Sequence, residues 1–155
     1  MAAARIIMGI DPGLAHTGWG VVQQKGISLS CVAYGCVATQ PTMPLHQRLA
    51  KIYTQISAVV LRYKPECVAV ATGQARGAAL TACGQAPMAL AEYSPSQIKL
   101  AVVGAGSADK GQVQYMVQQL LGLEKAPSPD HAADALAAAI CYSTHSVSWE
   151  RGAVR

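Results

Sequence analysis

The stretch IIMGIDPGLAHTGWGVV, residues 6–22, decides the fold of this chain. The residues before Asp11 are almost all apolar, which is typical of a central strand covered on both faces of a sheet. The strand ends on this one carboxylate, and Pro12 and Gly13 follow at once. A charge near the core is unfavourable unless something positive compensates it. We therefore expect a positive partner for Asp11.

Length, charge and cysteine content limit the classes of protein to consider. The 155 residues fit one domain with a substantial core, and a formal net charge of +4 permits a polyanionic partner without requiring one. The five cysteines show no zinc-ligand spacing, which indicates reduced, buried thiols. Because the sequence shows neither a signal-peptide pattern nor a membrane-length apolar run, we expect a soluble, cytoplasmic protein that does not act at a membrane.

Hydrophobic periodicity predicts an α/β fold. The predicted strands are residues 5–10, 18–24, 27–39, 67–71 and 88–92, and the predicted helices begin near residues 44, 74, 94, 107 and 128. A meander of three strands followed by crossover units gives a mixed five-stranded sheet flanked by helices. This order resembles the ribonuclease-H-like fold. We expect it to occupy residues 1–145, with a flexible tail over residues 146–155.

The last predicted helix carries three polar side chains in its first turns, namely Asp130, His131 and Asp134. His131 and Asp134 are three residues apart and share one helical face. Asp130 suits the positive start of a helix, so we interpret it as a helix-start acid. Asp134 lies among alanines without a convincing basic partner. A hard divalent cation such as Mg²⁺, held by Asp11 and Asp134, would satisfy both acids.

Four blocks of the sequence resemble one known family: GIDPGLAHTGWGVV, GQARGAAL, AEYSPSQIKLAVVGAGSADKGQVQYMV and HAADALAAAI. In this order, from about Ile6 to His145, they are similar to the RuvC Holliday-junction resolvases. The resemblance implies a homodimeric, Mg²⁺-dependent endonuclease, with Mn²⁺ able to substitute, that makes paired nicks in four-way junction DNA alongside a branch-migration helicase complex. It also implies that Asp11, His131 and Asp134 are catalytic metal ligands.

Three basic residues are candidates for DNA binding. Lys99 and Lys110 occur at helix starts or loops, where a phosphate can dock, and Arg76 lies in the GQARG block beside the expected site. For each residue taken alone, a solvated surface charge is the alternative interpretation. The family resemblance favours Lys110 most.

One position departs from the family pattern. The resemblance implies a glutamate at the end of the strand that here reads ECVAV, and the matching residue is Ala71. It also implies a longer loop and the start of a helix, whereas this chain passes directly through Thr72 and Gly73 into Gln74. A natural loss, an engineered deletion or an omitted loop would each produce this pattern. If the connection is continuous, we expect junction binding with little or no cleavage.

Two other functions stay open at this point. The first is a junction-binding dimer without turnover, which intact junction affinity without nicking would identify. The second is an ATP-dependent phosphotransferase of the actin-like group, which shares the ribonuclease-H-like core. The chain has no room for the second lobe of such enzymes. For the homodimer, we predict that the small-residue helix over residues 74–85 forms part of the interface.

Overall fold

The structure is a computed structural model that describes residues 3–152, and side chains as far as residue 145. Its five strands are β1 (Arg5–Pro12), β2 (His16–Lys25), β3 (Ser28–Ala38), β4 (Cys67–Ala71) and β5 (Ala89–Tyr93). They form one sheet in the order β3-β2-β1-β4-β5. The first three strands pair antiparallel, and β4 lies parallel to both β1 and β5. The predicted mixed five-stranded sheet is confirmed.

Helices cover both faces of this sheet. They are α1 (Leu45–Tyr63), α2 (Arg76–Cys83), α3 (Pro95–Val103), α4 (Lys110–Leu121) and α5 (Asp130–Gly152). Helices α1 and α2 enclose one hydrophobic cluster with the sheet, and α3, α4 and α5 enclose the other. Within the described residues, no helix combines the length and the apolar character needed to cross a membrane.

Several boundaries differ from the sequence prediction. Helix α4 begins at Lys110 rather than at Ser107, because Asp109 and Gln112 form a reciprocal capping box there. The backbone of α5 remains helical to Gly152, beyond the predicted end near Thr144. The flexible tail over residues 146–155 stays a prediction, and residues 153–155 lie outside the described part of the chain.

The connection from β4 to α2 consists of residues 72–75. The carbonyl of Pro12 accepts a hydrogen bond from the Ala75 amide at 2.9 Å. A Cβ atom on Gly73 would lie 2.4 Å from that same oxygen, which is closer than any side chain allows. The short turn therefore depends on a glycine at position 73, and α2 is shorter than the predicted 74–85.

Two glycines determine how closely α5 approaches the sheet. A Cβ atom on Gly9 would lie 1.8 Å from the carbonyl oxygen of Ala135, and one on Gly18 would lie 1.8 Å from that of His131. The helix backbone therefore rests directly on β1 and β2, where a larger residue would hold it away. This contact brings the start of α5 to the end of β1, where Asp11 lies.

Candidate metal centre

Three predicted ligands lie together at the end of β1 and the start of α5. Asp11, His131 and Asp134 each offer one ligand atom, and these atoms all lie within 4.8 Å of one another. Nδ1 of His131 is 3.4 Å from Oδ2 of Asp11. All three side chains are partly buried. Two carboxylates and an imidazole at this spacing are a donor set that suits a divalent cation.

The surroundings of the two carboxylates disfavour their charged forms. Burial is the largest cause that raises the pKa of Asp134, and the nearby charge of Asp11 raises it further. Burial also raises the pKa of Asp11, which a hydrogen bond and charge from His131 partly offset. A bound cation would relieve both effects, so the residues present fit a metal ion.

Lys110 is the basic neighbour of Asp134 that sequence reasoning missed. Its Nζ lies 3.9 Å from Oδ2 of Asp134, and its charge lowers the pKa of that acid without cancelling the effect of burial. Lys110 begins α4, which packs against α5, so the pair forms only in the folded chain. Because the Lys110 side chain is 64% exposed, its amine is also accessible to a phosphate.

A cavity of about 190 Å³ adjoins the two acids. Its lining includes Asp11, Asp134, Lys99, Lys110 and Ala71. The β1–β4 ladder pairs the residues just before Asp11 and Ala71, so these two positions are neighbours at the same edge of the sheet. Ala71, where the resemblance implies a glutamate, therefore lines the same cavity as the two acids, and it contributes only a methyl group there.

Arg76 and Asp130 are engaged elsewhere. The Arg76 guanidinium binds the Glu92 carboxylate through two hydrogen bonds, of which the one from Nη2 to Oε2 is 2.8 Å. This bond lowers the pKa of Glu92 and links α2 to β5. Oδ1 of Asp130 accepts a hydrogen bond from Gln114 at 2.8 Å, which is compatible with its interpretation as a helix-start acid.

His16 is a further neighbour that the sequence did not indicate. Its ring stacks on that of His131, with centroids 5.0 Å apart and planes inclined by 14°. His16 begins β2, whereas His131 lies in α5 near the other end of the chain. No local pattern connects two residues so far apart, and only the packing of α5 on β2 brings their rings together.

Comparisons with known proteins place these features in a family. The family model described as crossover junction endodeoxyribonuclease RuvC matches residues 7–142. The RuvC of Desulforamulus reducens is 44% identical, over 91% of this chain and 94% of its own length. That of Heliobacterium modesticaldum is 45% identical, over 93% and 96% respectively. The alignments thus extend over nearly the whole length of each relative.

Solved structures agree with this match. Thermus thermophilus RuvC in complex with a Holliday junction substrate superimposes with a TM-score of 0.85 and 36% identity, over 92% of this chain and 94% of its own. The yeast mitochondrial Holliday junction resolvase has a TM-score of 0.66 at 12% identity, which shows a shared fold. The ribonuclease-H-like architecture predicted from the order of elements is therefore confirmed.

The alignments also show that this chain is shorter than its relatives. The alignment with the Desulforamulus reducens protein has 154 positions. It includes 91% of the 155 residues of this chain, or about 141, so about 13 positions of the relative have no counterpart here. The Heliobacterium modesticaldum match, with 157 positions and 93% of the chain, gives about the same shortfall. Even so, agreement over nearly the whole length establishes that the chain belongs to the RuvC family of crossover junction endodeoxyribonucleases.

Proposed function

We propose that this protein is a structure-selective endonuclease that resolves four-way Holliday junctions by paired, metal-dependent nicks. The observation that carries the proposal is the clustering of Asp11, His131 and Asp134 within 4.8 Å of one another in a chain of this family. The structural neighbour that holds a Holliday junction substrate is 36% identical, which supports the same class of DNA for this chain.

The proposed ligands are the two aspartates and His131. Mg²⁺ is the proposed metal because carboxylate oxygens dominate the donor set, and the imidazole makes Mn²⁺ an effective substitute. A metal bound there would activate water and stabilise the departing 3′ oxygen. The fold holds the three ligands in place: β1 positions Asp11, and the first turns of α5 position His131 and Asp134.

Lysines around the cavity are the proposed contacts to the DNA backbone. Lys99 and Lys110 both line the cavity beside the acids, so a phosphate that enters would meet two cations. Lys110 is the stronger candidate because its exposed amine already lies 3.9 Å from Asp134. Arg76 is a weaker one, since Glu92 occupies its guanidinium.

A homodimer follows from the proposed reaction, because two paired nicks require two sites related by a two-fold axis. We propose that α2 forms part of the interface. Its outer surface and that of α1 border an open groove lined by Leu49, Tyr53, Gly77, Ala78 and Thr81, among others. A branch-migration helicase complex as partner and a cytoplasmic location belong to the same proposal.

Cleavage of a synthetic four-way junction with Mg²⁺, compared with a linear duplex of the same sequence, tests the function. We expect nicks in two opposing strands of the junction only. Asp134→Asn should slow cleavage by at least about 100-fold, because it removes a metal ligand, while junction affinity stays within about 3-fold. Asp130→Asn is the matched control and should cleave as the wild type does. An Asp134→Asn protein of full activity would contradict the proposed centre.

A junction-binding dimer with little or no cleavage is the second candidate. One observation favours it: Ala71 brings no carboxylate to the cavity, and four residues join β4 to α2. Tight junction binding without nicks by the wild-type protein would select this candidate. The comparisons favour neither this candidate nor the actin-like phosphotransferase alternative.

A further inference from the structure

A histidine ligand is more demanding in its orientation than a carboxylate. A neutral imidazole has one unprotonated nitrogen, whose single lone pair lies in the plane of the ring, whereas a carboxylate offers two oxygens with about four acceptor directions. At position 131 the ring plane therefore decides whether a nitrogen faces the two aspartates. Contacts with neighbouring side chains must therefore fix the plane of the His131 ring.

His131 is not fully enclosed by the protein. Its side chain is 33% exposed in the first turn of α5. On one side, Nδ1 faces the Asp11 carboxylate at 3.4 Å. On its flat face the ring contacts His16, with the two rings nearly parallel at an inclination of 14°. These two contacts define the direction and the plane of the ring.

The backbone of His16 is well anchored. It begins β2, where its backbone pairs with Ala38 of β3. The next residue, Thr17, is buried, and its hydroxyl donates a hydrogen bond to the Gly13 carbonyl at 2.7 Å. Sγ of Cys36 lies 3.9 Å from Nδ1 of His16. The His16 ring therefore extends from an ordered strand rather than from a mobile loop.

We propose that His16 is a positioning residue, whose ring holds the plane of His131 so that an imidazole nitrogen points to the metal centre. This inference rests on the proposed function, because it presupposes that the cluster binds a metal. His16 acts through its flat face and does not supply a ligand atom, and it is not among the residues whose donors meet at the centre.

Mn²⁺ binding to the intact protein without DNA tests the proposal, with free Mn²⁺ measured by electron paramagnetic resonance. His16→Ala should weaken binding by about 2- to 10-fold, the range that an aromatic pair contributes. His16→Phe keeps a flat ring without a ligand atom, so it should bind as the wild type does. Tyr34→Ala removes an exposed ring of β3 outside the ligand cluster and is the control.

The same substitution in a His131→Asp variant distinguishes an effect on the orientation of the His131 ring from a general effect on folding. In His131→Asp protein the ligand is a carboxylate, so adding His16→Ala should leave Mn²⁺ affinity unchanged. The proposal is overturned if His16→Ala binds Mn²⁺ as the wild type does, if His16→Phe is as weak as His16→Ala, or if the loss persists in the His131→Asp background. Wild-type protein that binds no Mn²⁺ would instead refute the proposed metal centre.

Discussion

Asp11 and Asp134 occupy positions where their charges reduce stability. Burial raises the pKa of both, so the folded protein holds their protons more tightly than the unfolded chain does. For an acid with a raised pKa, stability is lost as pH rises through the folded-state pKa, and at neutral pH both acids carry that cost. Such a cost is common where residues serve function rather than folding.

The first prediction follows from this cost. In the absence of metal, Asp134→Asn should raise the melting temperature at pH 7, because a neutral amide replaces a charge that burial and Asp11 both disfavour. The contact with Lys110 that is lost is long and the lysine side chain is mostly exposed, so its loss offsets little of the gain. Thermal unfolding in EDTA measures the change, and the gain should shrink towards acid pH. Asp130→Asn should show no gain, and a lower melting temperature for Asp134→Asn would contradict the argument.

Position 71 supplies the second prediction. Ala71→Glu places a carboxylate in the cavity beside Asp11, where the resemblance implies one, so junction cleavage should rise by at least about 10-fold. The gain should remain partial, because the short connection over residues 72–75 is unchanged. Single-turnover cleavage rates measure it, with the Desulforamulus reducens relative as the reference.

Ala71→Gln is the matched control for that change, since it adds a side chain of similar size without the charge. It should leave cleavage at the wild-type rate. If wild-type protein already cleaves as fast as the reference relative, a fourth acid is not needed at this site, and our account of Ala71 is wrong.

At the scale of elements, the position of α5 depends on small residues in the sheet. The helix contributes mainly alanines to the core, and Gly9 and Gly18 let its backbone touch β1 and β2. This packing is close because the glycines have no side chain and the alanines have only a methyl group. The same contact places two of the proposed ligands, so the sheet glycines belong to the architecture of the site.

Gly18→Ala tests that link. The added Cβ would lie 1.8 Å from the His131 carbonyl oxygen, so α5 must move at its first turn. We expect a loss of about 1–3 kcal/mol in the free energy of unfolding, together with weaker Mn²⁺ binding. Chemical denaturation and electron paramagnetic resonance measure the two effects. Gly84→Ala is the control, because its Cβ would have only ordinary contacts, 3.4 Å or longer. Unchanged stability and Mn²⁺ binding in Gly18→Ala would refute this role of the close approach.

At the scale of the whole molecule, the distribution of positive charge determines where DNA binds. A net charge of +4 is modest, so attraction to a polyanion depends on where the cations lie. Lys99 and Lys110 lie at the cavity that holds the proposed metal ligands. Lys25, in contrast, lies at the far end of β2 from His16.

The last prediction concerns this distribution. Junction affinity should fall steeply with salt concentration, because phosphate contacts release counterions. Lys110→Ala should weaken binding to junctions of any sequence to a similar degree and reduce the salt slope by about one, as expected for one lost phosphate contact. Lys25→Ala should change neither. Titrations of labelled junctions at several salt concentrations measure this, and a loss confined to one base sequence would show that Lys110 contacts base edges instead.

Much of the fold was predictable because its determinants are local. Alternation and apolar runs indicated the five strands, and turn residues indicated most of their ends. Asp11 and Asp134 drew attention because each acid interrupts an apolar segment. The boundaries of α4 and α5 were less predictable, since a capping box or a continued helix depends on a few residues with weak individual preferences.

The sequence by itself thus determined the order of the elements, the two acids that interrupt apolar segments and the departure at Ala71. Only the tertiary structure decided which side chains meet: His16 on His131, Lys110 near Asp134 and Arg76 on Glu92. Each pair joins two different elements, so the hydrophobic periodicity of the sequence cannot predict it. The His16–His131 pair arises because α5 lies directly on glycines of β1 and β2, and the contact distance between two packed elements is a property of both surfaces together.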